Sequence, residues 1–321
     1  MSGQAKFNRL ALIGMGLIGS SIARAARAQG AVRSITATAR SAATRRRIAE
    51  LGLADQVVET NAAAVEGADL VIVCIPVGAC GEVAAEIGPR LAPGAILSDV
   101  GSVKTTVFKD MSPHVPAGVH FVPAHPVAGT ENSGPDAGFA ELFVNRWCIL
   151  TPPPGAQATA VGRLKAFWEL LGANVETMSC EHHDLVLGIT SHLPHLIAYT
   201  IVGTADELSQ VTRSEVLQFS AGGFRDFTRI AASDPTMWRD VFLANKDAVL
   251  EMLGRFNEDL AALTRAIRRG DGDKLFEHFT RTRAIRRGIV EIGQDSPAPD
   301  FGRSHPELPH EPLPRPYAAG D

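Results

Sequence analysis

A chain of 321 residues with 45% hydrophobic and 21% charged content holds enough apolar material for one large or, better, two domain cores, which excludes disorder of the whole chain. A formal net charge of -4 and a pI near 6.2 argue against a general affinity for nucleic acid or anionic lipid and fit a small-molecule protein better. Met1 to Phe7 lacks the charged start and apolar core of a secretory signal, and no apolar run approaches the roughly 20 residues that would span a bilayer. The expectation is a cytoplasmic protein with no membrane partner. Cys74, Cys80, Cys148 and Cys180 are scattered without metal-ligand or redox spacing and read as reduced, mostly buried thiols.

In chain order, Leu10 to Ile13 reads as a short strand that runs into Gly14-Met15-Gly16-Leu17-Ile18-Gly19, and a helix follows to Ala28, stopped by Gly30. A second strand near Ser34 to Thr38 precedes an Arg-rich helix. Leu70 to Ile75 reads as a strand buried on both faces and closed by Pro76. Ala95 to Asp99, Val119 to Val122 and Trp147 to Leu150 supply further strands, and one more strand and helix are expected beyond the Pro152-Pro153-Pro154 break. Strands alternating with helices at this spacing predict an α/β fold with a doubly wound, Rossmann-type parallel sheet over residues 1–178.

From Glu181 the pattern turns helical. Pro194 sits inside an apolar run, where a kink or a cavity is expected. Trp238, Phe242, Val249, Leu253, Phe256, Leu260, Leu263 and Ile267 form an approximate stripe on one apparently continuous helix, and a second helical stretch runs from Lys274 to Ile292. Residues 179–294 therefore predict an all-helical domain, and stripes of this length predict a homodimer. The Pro-rich segment 295–321 predicts a disordered tail.

In Gly14-x-Gly16-x-x-Gly19 the first glycine permits the tight turn, the second lets backbone approach a pyrophosphate, and the third lets helix meet strand. Met15, Leu17 and Ile18 in the same turn, and Ile75 and Pro76 at the end of the Leu70 strand, count among the expected cofactor contacts. The second strand ends in Thr38-Ala39-Arg40-Ser41, with no carboxylate for the ribose hydroxyls. Arg40 and Ser41 there favour NADP over NAD, with dual use open; Arg46 and Arg47 read as a solvated helix face.

Ser102, in Asp99-Val100-Gly101-Ser102-Val103-Lys104, falls at the carboxyl edge of the sheet, where ligands of such folds bind. His125 lies at the corresponding edge of the following strand, and a histidine there can take a hydroxyl proton as hydride leaves the same carbon. Arg225 and Arg229, four apart beside Gly222-Gly223-Phe224, read as forks for an anionic acid.

The strings Gly-Met-Gly-Leu-Ile-Gly-Ser-Ser, Asp-Val-Gly-Ser-Val-Lys, His-Pro-Val-Ala-Gly-Thr-Glu, Ser191-His192-Leu193-Pro194-His195 and Gly-Gly-Phe-Arg-Asp-Phe-Thr-Arg-Ile-Ala occur in order over residues 7 to 292. They resemble the prephenate and arogenate dehydrogenases of tyrosine synthesis. The resemblance implies oxidative decarboxylation, with hydride passing to a nicotinamide and the ring carboxyl leaving as carbon dioxide. It implies that His125 hydrogen-bonds the ring hydroxyl, that Ser102 helps hold it, and that Arg229 binds a substrate carboxylate. It also places His192, His195 and Trp238 near the substrate.

Arg225 either contacts substrate or, paired with Asp226, braces the loop. Glu131 either touches ligand or caps a helix, and His182 and His183 read as capping or surface residues at a helix start. Zinc on His192 and His195 lacks a third ligand, so no metal is expected. Two other readings stay open: a beta-hydroxyacid dehydrogenase using Lys246, and a non-catalytic dinucleotide sensor.

Overall fold

The structure, a computed structural model, describes residues 7–130, 132–218 and 222–291; the side chains of 208–218 and 289–291 also lie outside the description. Glu131 and the 295–321 tail are therefore outside the described residues.

The chain begins β1 (Phe7–Ile13), α1 (Leu17–Ala28), β2 (Val32–Thr38), α2 (Ala42–Glu50), β3 (Gln56–Val57), α3 (Asn61–Val65), β4 (Leu70–Val73), α4 (Cys80–Ile87), β5 (Ile96–Asp99), α5 (Thr105–Met111) and β6 (His120–Phe121). These six strands form one parallel sheet in the order β3-β2-β1-β4-β5-β6. The order reverses between β1 and β4, so a crevice opens at their carboxyl ends.

Strand alternation builds a core on each face. Leu10, Leu12, Leu70 and Ile72 join Ile22, Phe167 and Trp168 on one side, while Ala11, Ile13, Val71 and Val73 join Val107, Ile87 and Met111 on the other. Each such fully buried Leu, Ile or Val side chain contributes about 1.5–3 kcal/mol, which is why β4 reads as an unbroken apolar run.

Val119 to Val122 does not continue as one strand to His125. After β6 the chain bends, and β7 (Ala124–Pro126) starts a second sheet with β8 (Trp147–Leu150) and β9 (Asn174–Thr177), in the order β7-β8-β9, with α6 (Ala158–Leu170) connecting β8 to β9. His125 thus sits inside a short strand, opposite Ile149. Pro123 and Pro126 bracket it, and the Pro123 carbonyl accepts from Thr151 N (2.9 Å).

The helical half runs α7 (Cys180–Leu187), a π-helical turn (Gly188–His192), α8 (Leu193–Gln218), α9 (Gly222–Thr228), α10 (Pro235–Ala244), α11 (Lys246–Arg269) and α12 (Gly272–Glu291). Pro194 does not break the run. Leu193 N bonds Gly188 O, five residues back, and this widened turn carries the chain past a proline that would clash in a regular helix. The apolar stripe from Trp238 onward is not one helix, because Asn245 interrupts it between α10 and α11 with φ -111 and ψ 30.

The stretch Cys180–Glu207 holds an 18-residue window of mean hydropathy 1.5, 28% of it buried, and is long and apolar enough, by length and composition only, to cross a membrane. Counting unbroken apolar residues misses it, since Thr190, Ser191, His192, Pro194 and His195 interrupt the run without adding full charges. By packing, the chain divides into two compact units, residues 1–260 and 261–321.

Candidate active site

The glycines of the first turn divide their work by space. A Cβ on Gly14, whose φ is +91, would lie 2.3 Å from the Cys74 carbonyl oxygen, and one on Gly19 would lie 2.3 Å from that of Gly14. These two let β1, β4 and α1 close up. A Cβ on Gly16 would meet nothing within 4 Å, so at the start of α1 a ligand can approach the backbone closely. Met15 and Leu17 are core side chains, so only their backbone is left to face a ligand, whereas Ile18 and Ile75 are half-buried.

At the end of β2, Arg40 and Ser41 are exposed. Ser41 caps α2, its Oγ accepting from Thr44 N at 2.9 Å. Arg45 Nη1 donates to Ala39 O (2.8 Å), and Arg47 holds Asp136 with Nε (3.0 Å) and Nη2 (2.6 Å). Arg45 and Arg47 are committed to the protein itself.

The chemical end is built where β5, β7 and α7 meet. Lys104 Nζ donates to Asp99 Oδ2 and to Ala124 O (2.7 Å), and neither charged side chain has any exposed surface. This pair ties the end of β5 to the residue before His125. Ser102, two residues before Lys104, is half-buried.

His125 is 7% exposed, and its Nδ1 lies 2.9 Å from His183 Nε2. His183 is fully buried, and its Nδ1 lies 2.8 Å from Asp184 Oδ1. Asp184 in turn accepts from Lys104 N (2.8 Å) and Thr105 N (2.9 Å) at the start of α5. The capping or surface reading of His183 is therefore wrong, although Ser179 does cap α7. Exposed His182 keeps the surface position.

Burial holds the His125 imidazole well below its ordinary pKa, helped by His183, Lys104 and His192. Burial also lowers His183, against the opposing pull of Asp184. For Asp184 burial alone would raise the pKa, but hydrogen bonds from His183, Lys104 and Thr105 outweigh it and keep the carboxyl below its usual range.

Asn245 extends the network. Its Nδ2 donates to Asp184 O (2.8 Å) and faces His192 Nδ1 at 3.0 Å, so neutral His192 carries its proton on Nε2. Burial pushes His192 down to about 4, with Asp184 and the Ser102 backbone pulling the other way. His195 Nδ1 bonds Ser191 O (2.8 Å), and its ring stacks on Trp238 with centroids 3.7 Å apart. Burial lowers His195, and the Arg229 guanidinium adds to that effect, which puts Arg229 at the same end of the site.

The structure thus brings together Ser102, His125, His192, His195, Trp238 and the Arg229 charge. It separates the two arginines: α9 ends at Thr228, Arg229 opens a 3₁₀ turn, and exposed Arg225 pairs with its neighbour Asp226 at 3.5 Å. Gly222, at the start of α9, is exposed. Lys246 is exposed while Asn245 beside it is buried, which leaves the lysine of the beta-hydroxyacid reading outside this network. Among the described residues no group of three His, Cys, Asp or Glu converges as a metal site. His183, Asp184 and Asn245 are among the residues that sequence reasoning missed.

Comparison with known proteins agrees with this architecture. Residues 22–177 match the family model described as prephenate dehydrogenase, nucleotide-binding domain, and 179–281 match prephenate dehydrogenase, dimerization domain. A cyclohexadienyl dehydrogenase of Zymomonas mobilis is 45% identical over 283 residues, 88% of this chain and 96% of that protein. A prephenate dehydrogenase of Bacillus subtilis is 32% identical, covering 94% of this chain and 81% of its own length. Among solved structures, prephenate dehydrogenase from A. aeolicus in complex with hydroxyphenyl propionate and NAD+ superposes with a TM-score of 0.82 at 33% identity, covering 88% of this chain and 98% of that one.

Proposed function

Because the chain belongs to the prephenate dehydrogenase family, we propose that it oxidatively decarboxylates prephenate, arogenate or both in tyrosine biosynthesis, with hydride passing to a nicotinamide dinucleotide. The observation that carries this reading is the placement of His125, with Nδ1 engaged by His183, in a cluster with His192 and His195, the last of which feels the Arg229 charge.

When bound, the dinucleotide supplies the hydride acceptor. The open backbone at Gly16, between the close-packed Gly14 and Gly19, would hold its diphosphate. His125 Nε2 takes the hydroxyl proton as the carbinol carbon loses hydride, so charge never builds on a protonated ketone. Loss of carbon dioxide then returns the bond electrons to the ring and its oxygen, and His125 gives the proton back to that oxygen. No net proton is consumed, and aromatisation drives the step.

Arg229 anchors a carboxylate with a charge-assisted fork, while His192, His195 and Trp238 line the side-chain end. Ser102 holds the hydroxyl against His125. Arg225, Gly222 and Glu131 belong to the border of this site in our assignment. We assign residues 1–178 to cofactor binding and 179–294 to substrate binding and dimer formation. Exposed Ile189, Ile201 and Val202 give the helical part an apolar face suited to a second copy. We place the enzyme in the cytoplasm.

For the cofactor we propose NADP over NAD. Support comes from the missing carboxylate at the end of β2 and from exposed Arg40 beside the Ser41-capped start of α2, which together suit a 2′-phosphate. Arg40→Asp should lower the NADP to NAD ratio of kcat/KM by about tenfold or more, given the energy of a charged hydrogen bond; an unchanged ratio places the phosphate elsewhere. The function itself is tested by incubating the enzyme with prephenate or arogenate and each cofactor. Reduced nicotinamide and carbon dioxide should appear one for one, and their absence with both substrates rejects the assignment.

A further inference from the structure

We propose that His183 and Asp184 are positioning residues of the reaction: through a two-step hydrogen-bonded chain they fix the tautomer of His125 so that Nε2 is the bare, proton-accepting nitrogen. This rests on His125 being the proton acceptor.

The assignment follows from donors and acceptors alone. Asp184 receives two backbone N–H groups from the start of α5, at 2.8 and 2.9 Å, so its carboxylate has lone pairs and no proton to give. His183 Nδ1, 2.8 Å from Oδ1, must then donate. A neutral imidazole carries one proton, so His183 Nε2 is an acceptor, and His125 Nδ1, 2.9 Å away, must donate to it. That leaves the lone pair of His125 on Nε2.

The same chain compensates for burial. A proton taken at Nε2 makes His125 a cation in a place where burial and Lys104 oppose charge. His183 accepts the Nδ1 proton's hydrogen bond more strongly as that charge develops, and the Asp184 carboxylate lies one ring further on to stabilise it. The rings meet edge to face, with centroids 5.1 Å apart and planes at 67°, a contact that fixes the direction of His125 as well as its tautomer.

Asp184 would make the same backbone bonds if it merely anchored α7 to α5, so the test must separate chemistry from folding. His183→Ala should lower kcat by about 10²-fold or more, the ordinary worth of general base catalysis, with KM for prephenate changed less than about threefold. His183→Gln, whose amide oxygen can still accept from His125 Nδ1, should recover at least about tenfold of that loss. Melting temperature and cofactor titration check that each variant is folded. Turnover of His183→Ala within about threefold of wild type overturns the proposal, as does a Gln variant no better than Ala.

Should His183→Ala fail to fold, nitrogen-15 spectra of histidine-labelled wild-type enzyme decide the matter. His125 should show a protonated Nδ1 and a bare Nε2, and the reverse pattern rejects the proposal. If His125→Asn destroys turnover while His183→Ala keeps it, only the positioning role falls. If both keep it, the proton-acceptor assignment falls too.

Discussion

The indole of Trp238 lies over the imidazole of His195, with ring planes 26° apart, and it also meets the rings of His192 and Phe242 at 6.0 and 5.5 Å. One aromatic side chain from α10 thus packs against two histidines, one of which feels the Arg229 charge. Trp238→Ala removes the platform and should cost about 3–5 kcal/mol of stability, as large-to-small changes in a core do. Trp238→Phe keeps a ring there and should cost less while raising KM for prephenate more than it lowers kcat. Denaturant titration and steady-state kinetics check both.

The glycine turn gives a paired prediction. Gly19→Ala forces a Cβ against the Gly14 carbonyl and should lower the melting temperature, whereas Gly16→Ala meets no protein atom and should leave it alone. Gly16→Ala should instead weaken dinucleotide binding, by about tenfold for one lost close approach of roughly 1.4 kcal/mol. Equal melting temperatures for the two variants would rule out the division of labour.

Much of this region is legible in the amino-acid sequence because its chemistry is local. The spacing of Gly14, Gly16 and Gly19 encodes turn, approach and packing within six residues, and β4 shows its double burial as an apolar run. His125 can be found from its place in the chain. His183 cannot: in Glu-His-His-Asp the pattern around the two histidines does not show that one is buried, and its role exists only because α7 meets β7 in space. The one local signal is the aspartate directly after it. Asn245 is hidden by an apolar stripe that looks continuous in sequence and is broken by that residue's own backbone. Pro194 marks a place where something unusual happens, but a widened π turn rather than a kink absorbs it.

The buried Lys104 and Asp99 pair should matter for stability. Lys104→Met leaves the Asp99 carboxylate buried without its cation and should cost about 3–5 kcal/mol. Adding Asp99→Asn removes the stranded charge and should restore part of the loss. If the double variant is less stable than Lys104→Met, the pair is not the source of the penalty.

Acid should unfold the enzyme through its buried histidines. His192 titrates at about 4 in the folded protein against 6.5 ordinarily, so between those values the unfolded chain binds the extra proton. Stability is therefore intact above pH 6.5 and falls toward pH 4, by on the order of 3 kcal/mol from this residue. His125, His183 and His195 are lowered too and add to the same slope. Asp184, lowered among the carboxylates, extends the loss further down as its own folded pKa is passed. Denaturation midpoints at pH 7 and pH 5 test this, and His192→Asn should flatten the difference.

The whole mechanism turns on His125 accepting the substrate's hydroxyl proton, and the turnover of His125→Asn with prephenate at saturating cofactor decides it. The kcat should fall by about 10²–10⁴-fold, the range for loss of a general base, with dinucleotide binding and melting temperature near wild type. Wild-type turnover in that variant would mean that another group takes the proton.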